Sequence, residues 1–251
     1  MVEPDNATTA PAVERLTVRH ARAAASALAA SHGDYPAFRA VFPDPRRRRR
    51  ALPAFFAATV RDGARHGTVL AVRDGAEVAA VAVWLPPGAF PWSTARKLRA
   101  TPHLLRVALA DPRHTATFAR YGANAEAAHP ATPHWYLVVL GVRPTAQGRR
   151  LGSALVRAGL ELADRDGAAC RLETSDPANT AFYERFGFAV VDPALRLVPG
   201  GPAHVAMRRD ARAATTRQAP LRPGVTSAQL PADRHHQLHE TGDAERQQHG
   251  Q

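Results

Sequence analysis

Cysteine is nearly absent: Cys170 is the only one in 251 residues. A lone thiol excludes an internal disulfide and any zinc site built on paired cysteines, and no metal is expected. Lysine is as scarce, with Lys97 alone among 33 basic residues. The formal charge of +11 is therefore carried by arginine, alongside 21 prolines and abundant alanine. That bias reads as coding composition rather than as selection for a polyanion, so no nucleic-acid partner is expected. No run of about eighteen apolar residues exists to span a bilayer. The start, "MVEPDNATTAPAVE", lacks the basic segment and apolar run of a signal peptide. The expectation is a cytoplasmic protein with no membrane partner.

What is present is enough apolar residue, 45% of the chain, to build a sizeable core. Residues 1–12 are polar and proline-containing and read as a flexible leader. Residues 211–251 carry no aromatic residue and only four large aliphatics, Leu221, Val225, Leu230 and Leu238. Such a segment buries too little apolar surface to offset its ordering entropy and reads as a disordered tail. The expected domain is 13–210.

Within it, strands and helices alternate. "ERLTVRH" reads as a strand and "ARAAASALAA" as a helix. Asp44 and Pro45 look like an N-cap and first helical residue. The helix they open carries Leu52, Phe55, Phe56 and Val60 on one face. Its Arg46–Arg50 run reads as a solvated surface. "GTVLAVRD" and "AEVAAVAVWLPP" read as a hairpin turning at Asp74-Gly75. Two helices broken near Asp111-Pro112 fill 91–129, and "HWYLVVLGV" is a buried strand. After it come helix "SALVRAGLELADRDG", strand "AACRLETS", helix "PANTAFYERFG", strand "FAVVD" and strand "AHVAMRR". The pattern implies a mixed α/β sheet covered by helices.

The stretch "LGVRPTAQGRRLGSAL" (140–155) ends a strand, turns at Pro144 and opens a helix near Gly148 or Arg149. Unpaired N–H groups and the helix dipole at such a start favour an anion. Glycines at 148 and 152 would let a phosphate approach the backbone. The spacing matches neither common nucleotide-binding glycine pattern.

Together with "LETSDPANTAFYERFGF" about twenty residues later, this stretch resembles the GNAT N-acetyltransferase superfamily, whose loop pattern is Q/R-x-x-G-x-G/A. Gln147 and Gly152 match the outer positions, and Arg150 replaces the central glycine. The wording is closest to the puromycin N-acetyltransferase-like members, with "GDYPAFR" (33–39) and "VAVWLPP" (81–87) also similar. The similarity covers about residues 14–209.

The resemblance implies a mixed, mostly antiparallel sheet splayed between its fourth and fifth strands, with a helical insertion before the fourth. It implies acetyl-CoA as the acetyl donor and transfer to an amine. The acceptor it leads one to expect is a small-molecule primary amine, such as an aminonucleoside or another amine antibiotic; a peptide amine and a non-catalytic coenzyme A-binding module are the alternatives. A monomer or homodimer is expected. Coenzyme contacts map onto Leu140, Gly141, Val142, Gln147, Gly148, Arg149, Arg150, Leu151, Gly152, Ser153, Asn179 and Tyr183. Arg150 fits that loop if its backbone is helical, since a left-handed turn disfavours a side chain.

Tyr183 maps onto the family's general acid, against the alternative of an aromatic packing beside Phe182 and Phe186. Glu173, which shares its strand face with Arg171, is either the general base or half of a structural salt bridge with an arginine. His134 and Tyr136 share a strand face and would relay a proton through water. Asp34 and Tyr35 fall where this superfamily walls its substrate, although Asp34, Tyr35 and Pro36 also make an ordinary turn. Trp84, Trp92 and Trp135 line an apolar pocket or fill core.

Overall fold

The computed structural model describes residues 11–212. Nearly all of the expected leader and tail lie outside the described residues. The chain begins with β1 (Val13–Leu16), α1 (Ala21–Ser31), α2 (Pro36–Val41) and α3 (Pro45–His66). Asp44 caps α3 by accepting the N–H groups of Arg46 and Arg47 at 2.7 and 3.1 Å, and Pro45 sits where no N–H is needed. The hairpin β2 (Thr68–Asp74) and β3 (Glu77–Leu85) follows. It closes through Gly75 and Ala76, with Gly75 left-handed at φ 58°.

Helices α4 (Thr94–Ala110) and α5 (Thr115–Ala127) form the insertion, interrupted by a 3-10 turn at Pro112–His114. Then come β4 (Trp135–Val142), α6 (Leu151–Arg165), β5 (Cys170–Thr174), α7 (Thr180–Glu184), β6 (Ala189–Leu195) and β7 (His204–Arg209). The seven strands form one sheet in the order β1-β2-β3-β4-β5-β7-β6. Every neighbouring pair is antiparallel except β4 and β5.

Strand alternation divides the core into two layers. Val69, Ala71, Val81 and Val83 face α1 and α3. Leu70, Ala80, Ala82, Trp84, Leu137, Leu172 and Met207 face α6, with Tyr183 and Phe186 of the α7 segment.

Three local expectations change. The strand expected over 14–20 stops at Leu16, because Thr17 and His20 pair locally and turn Val18–His20 into a 3-10 helix. "PANTAFYERFG" is a 3-10 turn at Pro177–Asn179 followed by the short α7 rather than one helix. The arginine run is not uniformly solvated. Arg48 is buried, donating to the carbonyls of Gly33 at 2.5 Å and Phe42 at 2.7 Å, and so ties α3 to the turns around α2.

Candidate active site

Strands β4 and β5 pair only at Trp135 with Cys170 and at Tyr136 with Arg171. Beyond that point they part, and a cavity of about 570 Å³ fills the opening. Because the opening passes between strands, both layers reach it. Leu151 and Phe182 line it from the α6 and α7 side, and Phe55, Phe56 and Tyr121 from the α3 and α5 side.

Each edge of the gap is held separately. On β4, α1 approaches so closely that a Cβ on Gly141 would stand 2.2 Å from Ser31 Oγ. At the end of β5, the Tyr35 hydroxyl accepts the Ser175 N–H at 2.7 Å and pairs with Thr174 Oγ1 at 2.9 Å. Asn179 Nδ2 donates to the same Thr174 oxygen at 3.2 Å.

The backbone of β4 offers donors to the gap. Arg143 N–H crosses to the Ala79 carbonyl of β3 at 2.8 Å. Strand N–H groups alternate in direction, so the Val142 N–H points the other way, toward the space β5 leaves. Past the strand, Gly148 is left-handed at φ 77° and so is Arg150, at φ 59° and ψ 16°. The expected helical Arg150 is thus corrected. It stands at the N-cap, one residue before α6, where the chain must reverse sharply. No side chain caps α6, and the first N–H groups of a helix have no acceptor within it. Those of Leu151, Gly152 and Ser153 therefore face outward beside the cavity they line.

Tyr183 is buried against Phe182 and Phe188, at ring-centroid distances of 5.0 and 6.0 Å. Burial first, then the neighbouring Tyr35, raises its pKa above that of a free phenol, so its hydroxyl keeps its proton. Glu173 lies on the opposite face of the sheet and accepts Arg171 Nε at 2.9 Å. Both are largely buried. Burial, then the Glu173 charge, drives the Tyr136 pKa upward.

Among the sequence candidates, Leu140, Gly141, Val142, Gln147, Gly148, Arg150, Leu151, Gly152, Ser153, Asn179, Tyr183, Glu173, Tyr35 and Tyr136 share this cavity. Four do not. The Arg149 side chain turns away to pair with Asp74 of the hairpin at 2.6 Å. Asp34 projects into solvent with 94% of its side chain exposed. Trp84 is fully buried on the α6 layer, where a Cβ on Gly159 would stand 2.1 Å from its ring. His134 sits behind Tyr136, where the strands are still joined, its ring tilted 40° against that of His129 with centroids 4.6 Å apart. The other two tryptophans also serve structure. Trp135 donates to Asp166 at 2.9 Å, and Trp92 lies under Arg96.

Sequence reasoning did not find His32, Tyr121, Arg185 or His204, all on the cavity wall. His204 alone carried a signal, since strand periodicity puts it on the face of Ala206, which opposes Glu173. Among the described residues no three His, Cys, Asp or Glu side chains gather as metal ligands. No described helix is long and apolar enough to cross a membrane.

A backbone donor facing a gap, a neutral buried hydroxyl and an anion-receptive helix start are the parts an acyltransferase needs. The chain belongs to the acetyltransferase (GNAT) family, whose model matches residues 29–188. Among solved structures it is similar to a Corynebacterium glutamicum protein described as histone acetyltransferase HPA2 and related acetyltransferase. That match has 24% identity and a TM-score of 0.61, and covers 83% of this chain and all of the other. It also resembles the polyamine N-acetyltransferase of Drosophila melanogaster, at 16% identity and a TM-score of 0.49, over 79% of this chain and 97% of the other. At 24% identity, the likeness to the Corynebacterium glutamicum protein describes the fold alone.

Proposed function

We propose that the protein is an acetyl-CoA-dependent N-acetyltransferase acting on the primary amine of a small molecule. The observation that carries this reading is the convergence of the Val142 N–H, the α6 N-terminus and the Tyr183 hydroxyl on one cavity. The residues suit coenzyme A. The N–H groups from Gly148 to Ser153 match a diphosphate, Gly148 supplies the left-handed turn, and Arg150 and Arg185 line the same wall. When bound, acetyl-CoA supplies an acetyl group activated as a thioester with a thiol leaving group.

The Val142 N–H would stabilise the negative charge that develops on the carbonyl oxygen under attack. Tyr183, kept protonated by burial, would donate its proton to the departing sulfur. Glu173 would draw the acceptor amine toward the gap and take up its proton. Its pairing with Arg171 holds the carboxylate in place. Asn179 and Tyr35 would act through Thr174 by fixing the end of β5. The aromatic enclosure of the acceptor end favours a small molecule over an extended peptide. An aminonucleoside or similar amine antibiotic is the narrower reading of the acceptor.

Tyr183→Phe tests the assignment. Thiol release from acetyl-CoA over an amine panel including puromycin should fall roughly 10²- to 10⁴-fold in kcat. Coenzyme A affinity by calorimetry should hold. Unchanged turnover would remove Tyr183 from the chemistry. Absence of coenzyme A binding by the folded wild-type protein would overturn the reading itself.

A further inference from the structure

His32 follows the last residue of α1 and lines the cavity. Its Nδ1 stands 3.0 Å from the Leu28 carbonyl oxygen and 2.8 Å from Ser31 Oγ, and Ser31 Oγ donates to the same carbonyl at 2.9 Å. A carbonyl oxygen only accepts, so the tautomer with its hydrogen on Nδ1 satisfies all three contacts. With the hydrogen on Nε2 instead, the single Ser31 hydrogen would have to serve both Nδ1 and the carbonyl. Nε2 therefore carries the lone pair. It has no partner among the described residues, and unlike the ring nitrogens of His204 it is not sealed from solvent. Burial, partly offset by the Leu28 carbonyl, lowers the pKa of the ring from 6.5 to about 4, so the imidazole is neutral and the lone pair stays free to accept.

Packing against β4 fixes where that lone pair lies. A Cβ on Gly141 would stand 3.0 Å from His32 Cε1, the ring atom bonded to Nε2. Gly141 precedes Val142, whose N–H faces the gap. Tyr35, Phe38 and Phe56 surround the imidazole at centroid distances of 5.2, 5.9 and 5.1 Å, and all three line the cavity. Nε2 thus borders the β4 edge of the gap from the α3 side, on the face of the sheet that Glu173 occupies at the β5 edge.

The transfer chemistry gives such a lone pair a use. A neutral primary amine carries two N–H bonds as its lone pair attacks the thioester carbon. When the C–N bond forms, one of these protons must leave, to Glu173 in the reading above, and the thiolate departs with the proton of Tyr183. The other hydrogen stays on nitrogen and becomes the N–H of the product amide. A secondary amine has only the hydrogen that it must lose. We propose that His32 selects the nucleophile: its Nε2 accepts the N–H that the acceptor nitrogen keeps, and so favours a primary over a secondary amine. This role rests on the acetyltransferase reading above and names the residue that enforces its primary amine.

The test compares phenethylamine with N-methylphenethylamine and tryptamine with N-methyltryptamine, by thiol release from acetyl-CoA. Two substitutions separate the ring nitrogens. An Asn amide overlays Nδ1, so His32→Asn keeps a donor for the Leu28 carbonyl and lacks the acceptor at the gap. A Gln amide reaches the place of Nε2, so His32→Gln restores that acceptor. Wild-type kcat/KM should favour the primary member of at least one pair. In His32→Asn the ratio of primary to N-methyl amine should fall about three- to tenfold, the worth of one hydrogen bond, mainly by loss on the primary member. His32→Gln should recover most of that ratio, and both variants should bind coenzyme A as the wild type does. A purely structural His32 would lower both members alike, and an unchanged ratio in His32→Asn overturns the inference. So does a wild type with no preference, or a ratio lost equally in the Asn and Gln variants. If coenzyme A binds and no amine of either pair is acetylated, the inference falls and the donor site stands, whereas failure to bind coenzyme A would end both readings together.

Discussion

Arg150 allows strain and charge to be separated in one residue. Its left-handed backbone, φ 59°, costs a residue with a Cβ about 1–2 kcal/mol. Glycine escapes that cost but gives up about 0.5–1 kcal/mol of chain entropy on folding. Arg150→Gly should therefore be more stable than wild type by about 0.5–1 kcal/mol. For a domain of this size that corresponds to a rise in Tm of roughly 1–4 °C. Arg150→Ala keeps the Cβ and the strained backbone, and should not rise.

The guanidinium gives a second readout. Arg149 is engaged with Asp74, whereas Arg150 lines the cavity beside the helix start. A contact with a coenzyme phosphate at this exposed position is worth about 1 kcal/mol at low salt and less as salt rises. Arg150→Gly and Arg150→Ala should then weaken coenzyme A binding by a similar factor, about fivefold at low salt, with Arg150→Lys retaining part of it. Thermal unfolding and calorimetry at two salt concentrations read the two effects. A Gly variant no more stable than the Ala variant would refute the strain argument. Equal affinities across the series would refute the phosphate contact. If both hold, the loop keeps a strained arginine because its side chain serves the ligand, the usual reason strain persists at such places.

Other perturbations should have distinct signatures. Tyr35→Phe removes the acceptor of the Ser175 N–H and the partner of Thr174. It should cost about 1–3 kcal/mol in denaturant unfolding and should lower kcat more than it changes coenzyme affinity, since the end of β5 loosens; a variant with wild-type kcat would refute that positioning role. Gly159→Ala drives a methyl into the Trp84 ring and should lose about 1–3 kcal/mol, visible as a lower Tm with the site chemistry intact. His32 has its pKa lowered to about 4 from 6.5, chiefly by burial. The unfolded chain therefore binds the extra proton, and stability present above pH 6.5 is lost as the pH falls toward 4. The loss is on the order of 3 kcal/mol. His32→Phe should flatten that slope in urea titrations, and an unaltered slope would show that His32 is not its source.

The segment proposed to hold the donor was legible as a strand, turn and helix start because it is local. Proline and glycine punctuation around 144–152 marks a strand end, a turn and a helix start within a dozen residues, and "FYERFGF" follows in fixed order. The acceptor half is assembled by packing across the chain, and single-chain periodicity does not report it. Trp84 illustrates the limit. Its strand is apolar on both faces, so nothing in the pattern says whether the indole turns to α6 or to the gap. Asp34 failed differently, because the same residues that make a turn also push the carboxylate outward. Arg150 was misread through its residue type, since propensity argues against a left-handed arginine and the reversal before α6 overrides it.

The two halves meet only because the sheet opens. A continuous sheet separates its faces, so a ligand bound on the α6 side could not touch a side chain from the α3 side. Once β4 and β5 part after Tyr136 and Arg171, Tyr183 on one face and Glu173 on the other border the same opening, which is what the proposed acid and base roles require. The chemistry asks for this geometry, with a proton leaving the amine on one side and another reaching the sulfur on the other. Anchoring each strand to its own support keeps the opening from closing. Ser31 packs on Gly141 for β4, and Tyr35 is bonded at the end of β5. Both supports border the turn between α1 and α2, so this turn sets the width of the gap.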